Sequence, residues 1–163
     1  MSNNRKLKIG WFSFTCCEDS TIIFTELLNE HYDEWRNGIE FKHVRILKTE
    51  NSLKDLDIAF VEGAISSIKQ RQELLEIRKN CKKLVAIGSC AVIGQPSGAR
   101  NTFTQEQKTK YKEVFDTFQY SEKVQRLDEI VTVDDKISGC PMKGEEFVEK
   151  LDGYLQEFGI KNV

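Results

Sequence analysis

The sequence predicts a doubly wound α/β fold: a parallel sheet of the flavodoxin-like kind with helices on both faces. Short apolar runs alternate with segments whose apolar residues recur at helical spacing. Three of these runs also end in cysteine: residues 7–14 lead to Cys16 and Cys17, residues 84–87 to Cys90, and residues 130–137 to Cys140. Because the carboxyl ends of parallel strands share one edge of a sheet, we expect these cysteines to meet there.

The first half of the chain predicts three strands and two helices. Residues 7–14 form the first strand, and residues 18–36 form a helix with an acidic, hydroxyl-rich start that can cap it. Residues 39–48 and 57–61 are strand-like. A second helix follows over residues 65–80, where apolar residues return at helical spacing.

The second half continues the alternation. Residues 84–87 are a wholly apolar strand, residues 104–119 predict a helix, and residues 130–133 predict the last strand. A final helix is predicted to begin at Pro141, a position where proline is well tolerated, and to end at Gly159. Strands that alternate with helices in this way favour parallel pairing.

Composition limits the classes of function. The 163 residues predict one domain, 1–163, and the net charge of −2 with mixed signs gives no indication of a nucleic-acid face. No apolar run approaches the roughly 18 residues that a membrane span needs. The expected location is the cytoplasm, where five cysteines favour metal or redox chemistry or simple burial over disulfides.

Cys81 is set apart from the other cysteines because it precedes a strand instead of following one. At about 3.3 Å per residue it should lie roughly 20 Å from the edge that carries Cys90. We therefore exclude Cys81 as a ligand and expect it to be a small buried residue.

Four thiolates that converge in the cytoplasm bind either zinc or an iron–sulfur cluster. Adjacent Cys16 and Cys17 suit two corners of a large cluster better than one small ion, and Gly88, Ser89, Ala91 and Gly94 clear space around Cys90. The helix expected to start at Pro141 should stabilise the thiolate form of Cys140, because a helix N-terminus favours negative charge and lowers the pKa of a nearby thiol. The residues alone leave zinc open, as they leave open a buried cysteine pair with an ordinary strand exit.

Four segments together carry a family resemblance: Ile9-Gly-Trp-Phe, Val61-Glu-Gly-Ala, Gly88-Ser-Cys-Ala with the following Ala99-Arg-Asn, and Gly139-Cys-Pro. With them, the chain resembles the small subunit of nickel–iron hydrogenases and the related 20-kDa subunit of the complex I family. The short, soluble hydrogenase subunits are the better match. One departure stands out, since Phe14 and the pair Cys16-Cys17 replace the Cys-x-x-Cys usual in hydrogenases. The tandem pair is the pattern of the complex I branch.

The resemblance implies one proximal [4Fe–4S] cluster held by Cys16, Cys17, Cys90 and Cys140. It implies a non-catalytic electron-transfer subunit of a hydrogenase, an oxidoreductase complex. Its partner would be a separate large subunit that carries the nickel–iron site, with further iron–sulfur or flavin subunits beyond it. Any attachment to a membrane would come through those partners.

Three alternatives stay open. The tandem cysteines also suit a cluster-bearing subunit of a complex I-like or membrane-bound hydrogenase module. A flavodoxin-like module that binds flavin mononucleotide without a cluster, and a structural zinc module, belong to other classes. The resemblance also singles out Glu62, for proton movement or for accepting loop N–H groups, and Arg100 with Asn101, for contact with the large subunit or for solvating a loop.

Overall fold

The buried run that follows Lys6 begins the main sheet. A computed structural model describes residues 5–160 of the chain. Its strands are β1 (Leu7–Ser13), β2 (Ile39–Val44), β3 (Leu56–Glu62), β4 (Ile65–Ser67), β5 (Cys81–Ile87), β6 (Tyr120–Gln125) and β7 (Asp135–Ile137). Its helices are α1 (Asp19–Glu30), α2 (Tyr32–Gly38), α3 (Ile68–Lys79), α4 (Gly88–Ile93), α5 (Gln105–Lys110), α6 (Lys112–Thr117) and α7 (Gly144–Glu157).

The main sheet has five parallel strands in the order β2-β1-β3-β5-β7. Counted along the chain, this is the order 2-1-3-4-5 of flavodoxin-like sheets. The predicted fold class is therefore confirmed. No helix within residues 5–160 is long and apolar enough to cross a membrane.

Each face of the sheet buries its own apolar core, and central strand β3 serves both. Every residue of β3 is buried, as expected for a parallel strand covered on both sides. On one face Phe60 packs with Phe147 and Trp11, and Trp11 stacks on Phe24 with ring centroids 4.4 Å apart. On the other face Ala59 and its neighbours pack beneath α3. Because both apolar cores pack against the sheet, they hold the strand ends in place, and the loops that follow the strands begin from fixed positions.

Three predicted elements are shorter than expected or interrupted. The helix expected over residues 104–119 is divided at Tyr111, which ends α5 and precedes α6. The helix expected over residues 18–36 is interrupted at His31, which caps α1 and precedes α2. The strand expected over residues 39–48 ends at Val44, where Leu47 and Lys48 donate backbone hydrogen bonds back to the Val44 carbonyl. The chain turns at that point because these bonds replace the ladder to β1.

The small second sheet was not predicted. Strands β4 and β6 pair antiparallel, with Ile65 opposite Gln125 and Ser67 opposite Tyr120. Because residues 65–67 are used in this pairing, the helix predicted from residue 65 begins at Ile68, with the Ser67 hydroxyl accepting the Gln70 N–H. The polar sequence of β6 lacks the apolar alternation that marks a strand.

The last strand and the last helix both begin later than predicted. The strand is β7, not residues 130–133, because Asp134 exchanges hydrogen bonds with Leu84 and sets the pairing register there. The helix predicted from Pro141 begins at Gly144. Gly139 and Met142 instead form an antiparallel bridge. Cys140 therefore does not lie at a helix N-terminus, and that expectation is wrong.

Asp57 is a buried carboxylate at the amino edge of the sheet. Its side chain is 4% exposed and accepts hydrogen bonds from the Lys82 ammonium (2.7 Å) and the Lys8 backbone N–H (3.0 Å). The Arg5 guanidinium lies 3.1 Å from the same carboxylate. Burial alone would raise the pKa of Asp57, but these two hydrogen bonds and the two positive charges outweigh it and hold the pKa below its usual value.

We expect this carboxylate to make the free energy of unfolding fall at acid pH. The unfolded chain protonates Asp57 near its ordinary pKa of about 3.9, and the folded chain only at lower pH. The stabilisation is present above the unfolded value and is lost as the pH falls through the folded pKa. Urea unfolding at pH 7 and pH 3 measures it, and Asp57→Asn should lose less stability between these values than the wild type. An equal loss in both proteins would contradict the assignment.

Candidate metal centre

The four cysteines expected at the carboxyl edge line one cavity. Cys16 and Cys17 come from the loop between β1 and α1, Cys90 lies in α4 directly after β5, and Cys140 follows β7. Cys81 is the first residue of β5 and lies at the opposite edge of the sheet, so strand direction separated it from the other four correctly. It is half-buried there instead of fully buried.

The four thiols differ in exposure. Cys90 is buried, Cys16 is partly buried, and Cys17 and Cys140 are exposed. Burial raises the pKa of the Cys16 thiol to about 12, and the negative charge of Glu62 adds to the effect. Both effects oppose the thiolate form of Cys16, and a metal cation that replaced the thiol proton would offset them.

The loop that carries Cys16 is fastened to the exit of β3. Thr15 and Ala64 exchange two backbone hydrogen bonds of 3.0 Å, and Phe14 donates a 2.8 Å bond to the Glu62 carbonyl. Gly63 makes this close approach possible, because it has a φ of +93° and a Cβ there would lie 2.9 Å from Phe14 and Thr15 backbone atoms. The sequence Glu-Gly-Ala at the strand exit therefore positions the first cysteines.

The Cys90 and Cys140 loops are fastened to each other. The Ser89 N–H donates a 2.7 Å hydrogen bond to the Gly139 carbonyl. Gly88 and Gly139 both have positive φ, and a Cβ on Gly88 would lie 3.1 Å from the Ser20 hydroxyl. Gly88 and Gly139 thus allow backbone to pack closely beside the thiols, whereas the sequence predicted open space around Cys90 for a bulky group.

Glu62 is buried behind the cavity and holds the start of α1. Its two carboxylate oxygens accept hydrogen bonds from the Ser20 N–H (3.1 Å) and the Thr21 hydroxyl (2.7 Å). Thr21 also accepts the Trp11 indole N–H at 2.8 Å. These contacts favour a role for Glu62 as a hydrogen-bond acceptor. Its negative charge stabilises the first turn of the 12-residue helix α1, where backbone N–H groups need acceptors.

Arg100 and Asn101 both hold the small sheet in place. One Arg100 nitrogen donates to the carbonyls of Ser66 and Ser121, at 2.9 and 2.8 Å. The Asn101 amide pairs with both backbone groups of Val124 at 2.8 Å. The hydrogen bonds of Arg100 and Asn101 therefore go to backbone groups of strands β4 and β6 within this chain.

Ser97 is the site residue that sequence reasoning missed. Its hydroxyl lies 3.0 Å from Cys90 Sγ and 2.8 Å from the Thr15 carbonyl oxygen. No spacing rule relates a serine in the turn after Pro96 to a cysteine in the helix before it. The only signal was the turn-forming stretch Gly94-Gln-Pro-Ser-Gly, which allows the chain to fold back.

The four thiols are of the donor type that holds iron–sulfur clusters. Within residues 5–160, no three side chains of His, Cys, Asp or Glu are grouped closely enough to hold one metal ion. The cavity between the thiols holds only about 10 Å³. Cys17 and Cys140 are exposed at the opening of this cavity. A group too large for the cavity could therefore bind at the opening, where it would displace solvent instead of core side chains. Three of the thiols come from loops and Cys90 comes from the first turn of α4, and four thiols are the ligand type that cubane clusters take.

Several curated proteins are similar in sequence to a large part of this chain. Sulfhydrogenase 2 subunit delta of Pyrococcus furiosus is 26% identical over 151 residues, which cover 89% of this chain and 60% of that protein. The NAD-reducing hydrogenase HoxS subunit delta of Cupriavidus necator is 32% identical over 113 residues, 58% of this chain and 53% of that protein. The chain spans about half the length of the curated relatives it matches, from 43% to 60%.

Among solved structures, a chain of a NAD+-reducing [NiFe]-hydrogenase in the H2-reduced state superposes with a TM-score of 0.79 at 24% identity. The match covers 98% of this chain and 95% of that one, and it supports the same fold. The family model described as NADH ubiquinone oxidoreductase, 20 kDa subunit, matches residues 16–154, a range that contains all four cysteines of the cavity. The chain belongs to this family.

Proposed function

We propose that the chain is the electron-transfer subunit of a [NiFe] hydrogenase, a single flavodoxin-like domain that carries one [4Fe–4S] cluster. The observation that carries the proposal is the convergence of Cys16, Cys17, Cys90 and Cys140 on one cavity at the carboxyl edge. Several relatives are named as hydrogenase subunits, which supports this branch of the family.

In this proposal the chain's own residues hold and shield the redox group. Cys16, Cys17, Cys90 and Cys140 supply four thiolates, and a cluster bound to them would take up and release one electron at a time. The buried Cys90 fixes the inner side of the site. The Thr15–Ala64 bridge would hold the Cys16 loop in place, and Glu62 would hold the start of α1 beside it.

The exposure of Cys17 and Cys140 supports a partner that covers this edge. An exposed thiolate ligand is open to oxidation, and a second chain that covered this edge would exclude solvent from it. We assign that place to a large subunit with the nickel–iron site, and place the complex in the cytoplasm. Further iron–sulfur or flavin subunits would accept the electrons.

Anaerobic affinity purification of the tagged full chain from its own cells tests the partner. We expect a second polypeptide to co-purify with nickel, and the complex to reduce a viologen dye with hydrogen. The matched control is the Cys90→Ser chain, which should lose hydrogen-dependent dye reduction. Recovery of the chain with no nickel protein would contradict the hydrogenase assignment.

A second candidate keeps the cluster and changes the partner. The adjacent Cys16-Cys17 pair is the pattern of the complex I branch, and the matching family model is described by that complex. A complex I-like or membrane-bound hydrogenase module would co-purify with membrane subunits in the same experiment, and in the complex I-like case without nickel.

A further inference from the structure

Ser97 lies between two of the ligand loops. Its hydroxyl is 3.0 Å from Cys90 Sγ and 2.8 Å from the carbonyl oxygen of Thr15, the residue before Cys16. The turn that carries it is tight. Gly98 donates a 2.7 Å hydrogen bond to the Gly94 carbonyl, and a Cβ at Gly98 would collide with that same oxygen. Backbone geometry, and not only side-chain rotation, therefore sets where the hydroxyl lies.

From these contacts, and resting on the proposed function, we propose that Ser97 is a positioning residue that donates a hydrogen bond to the Cys90 sulfur once that sulfur is a thiolate ligand, and so raises the reduction potential of the cluster.

The hydroxyl has one proton and two acceptors within reach. The Ser97 hydroxyl can donate either to Cys90 Sγ or to the Thr15 carbonyl oxygen, and a thiol sulfur is the weaker acceptor of the two. Ligation removes the thiol proton and leaves a negative sulfur. A hydrogen bond to an ionised acceptor is about twice as strong as a neutral one, so the thiolate becomes the preferred acceptor.

The Thr15 carbonyl tolerates the loss of this bond. It also accepts the Ala64 N–H at 3.0 Å, so it keeps a partner when the Ser97 proton turns toward sulfur. Rotation of the Ser97 hydroxyl about its Cβ–Oγ bond is then sufficient to move the donated proton from the Thr15 carbonyl to Cys90 Sγ. Cys90 is only 6% exposed, so little water competes for the thiolate and the bond counts for more than it would at the surface.

A donor at a ligand sulfur favours the reduced state. One-electron reduction increases the negative charge shared by the sulfurs, and a proton pointed at Cys90 Sγ stabilises that charge. Removing the donor should lower the midpoint potential. We expect the ratio of reduced to oxidised cluster at a fixed potential to fall about threefold to tenfold in Ser97→Ala, and tenfold corresponds to about 59 mV for a one-electron couple.

The test is a redox titration of the full chain, followed by electron paramagnetic resonance, with iron and sulfide measured in each sample. The variants are Ser97→Ala, Ser97→Thr, which keeps the hydroxyl, and Thr102→Ala. The Thr102 hydroxyl lies five residues further along the chain and donates to the Ala99 carbonyl, so it is the matched control. We expect full iron and a lower potential in Ser97→Ala, a potential restored toward wild type in Ser97→Thr, and no change in Thr102→Ala.

Two results would overturn the inference alone. One is a wild-type potential in Ser97→Ala with iron retained. The other is loss of iron from Ser97→Ala while Thr102→Ala keeps it, because Ser97 would then be needed to assemble the site and not to set its potential. A wild-type chain without cluster iron would instead overturn the proposed function, and this inference with it.

Discussion

Replacing Cys90 by serine should remove the iron from the purified protein, with at least about a tenfold fall in iron per chain. Iron–sulfur clusters are held by cysteine thiolates, and a serine hydroxyl is a poorly matched replacement for a direct ligand, so iron binding should weaken strongly. Cys90 is the innermost of the four thiols. The fold should survive, because serine is nearly isosteric and the Ser97 hydroxyl can pair with it. Iron analysis and circular dichroism measure the two effects.

The control for this change is Cys81→Ser. Cys81 lies at the other edge of the sheet, where its sulfur contacts the Arg78 guanidinium at 3.5 Å, and it should have no part in ligation. We expect Cys81→Ser to keep the wild-type iron content. Iron loss from Cys81→Ser with iron retained in Cys90→Ser would reverse the assignment of the two edges.

Replacing Gly139 by alanine should cost both stability and iron. Gly139 has a φ of +126°, and a Cβ there would collide with the Pro141 carbonyl oxygen, so the loop that carries Cys140 must move. Strained backbone of this kind costs about 1–3 kcal/mol. At about 2–4 °C per kcal/mol for a domain of this size, the midpoint of thermal unfolding should fall by several degrees. Iron per chain should fall with it, because the Gly139 carbonyl also accepts the Ser89 N–H beside Cys90.

Gly153→Ala is the matched control. Gly153 lies in α7, and a Cβ there would meet no atom within 4 Å. Alanine in a helix interior is favoured over glycine by about 0.5–1 kcal/mol, so this variant should melt slightly higher than the wild type and keep its iron. A Gly139→Ala protein that melts like the wild type and keeps full iron would show that the loop does not depend on this glycine.

The parallel sheet and the shared edge were predictable because they follow from local rules. The apolar run at residues 84–87 was correctly predicted as a strand, and parallel pairing sends the exits of all strands in the main sheet to the same edge. That single rule grouped Cys16, Cys17, Cys90 and Cys140 and separated Cys81, as the cavity lining bears out.

The parts that were missed depend on contacts distant in sequence. Strand β6 is polar and pairs with β4 more than 50 residues away, so its own residues carry no signal. The position of α7 depends on the Met142 N–H bonding to Ser20, 122 residues earlier in the chain. Ser97 reaches Cys90 only because the turn after Pro96 folds back.

The most direct test of the central claim is the iron, sulfide, zinc and flavin content of the anaerobically purified full chain, together with its visible spectrum. The account predicts about four iron and four sulfide per chain, with the broad absorption of a cubane cluster. One zinc with no sulfide, or bound flavin without iron, would contradict it and leave the chain as a member of the family without the electron-transfer role proposed for it.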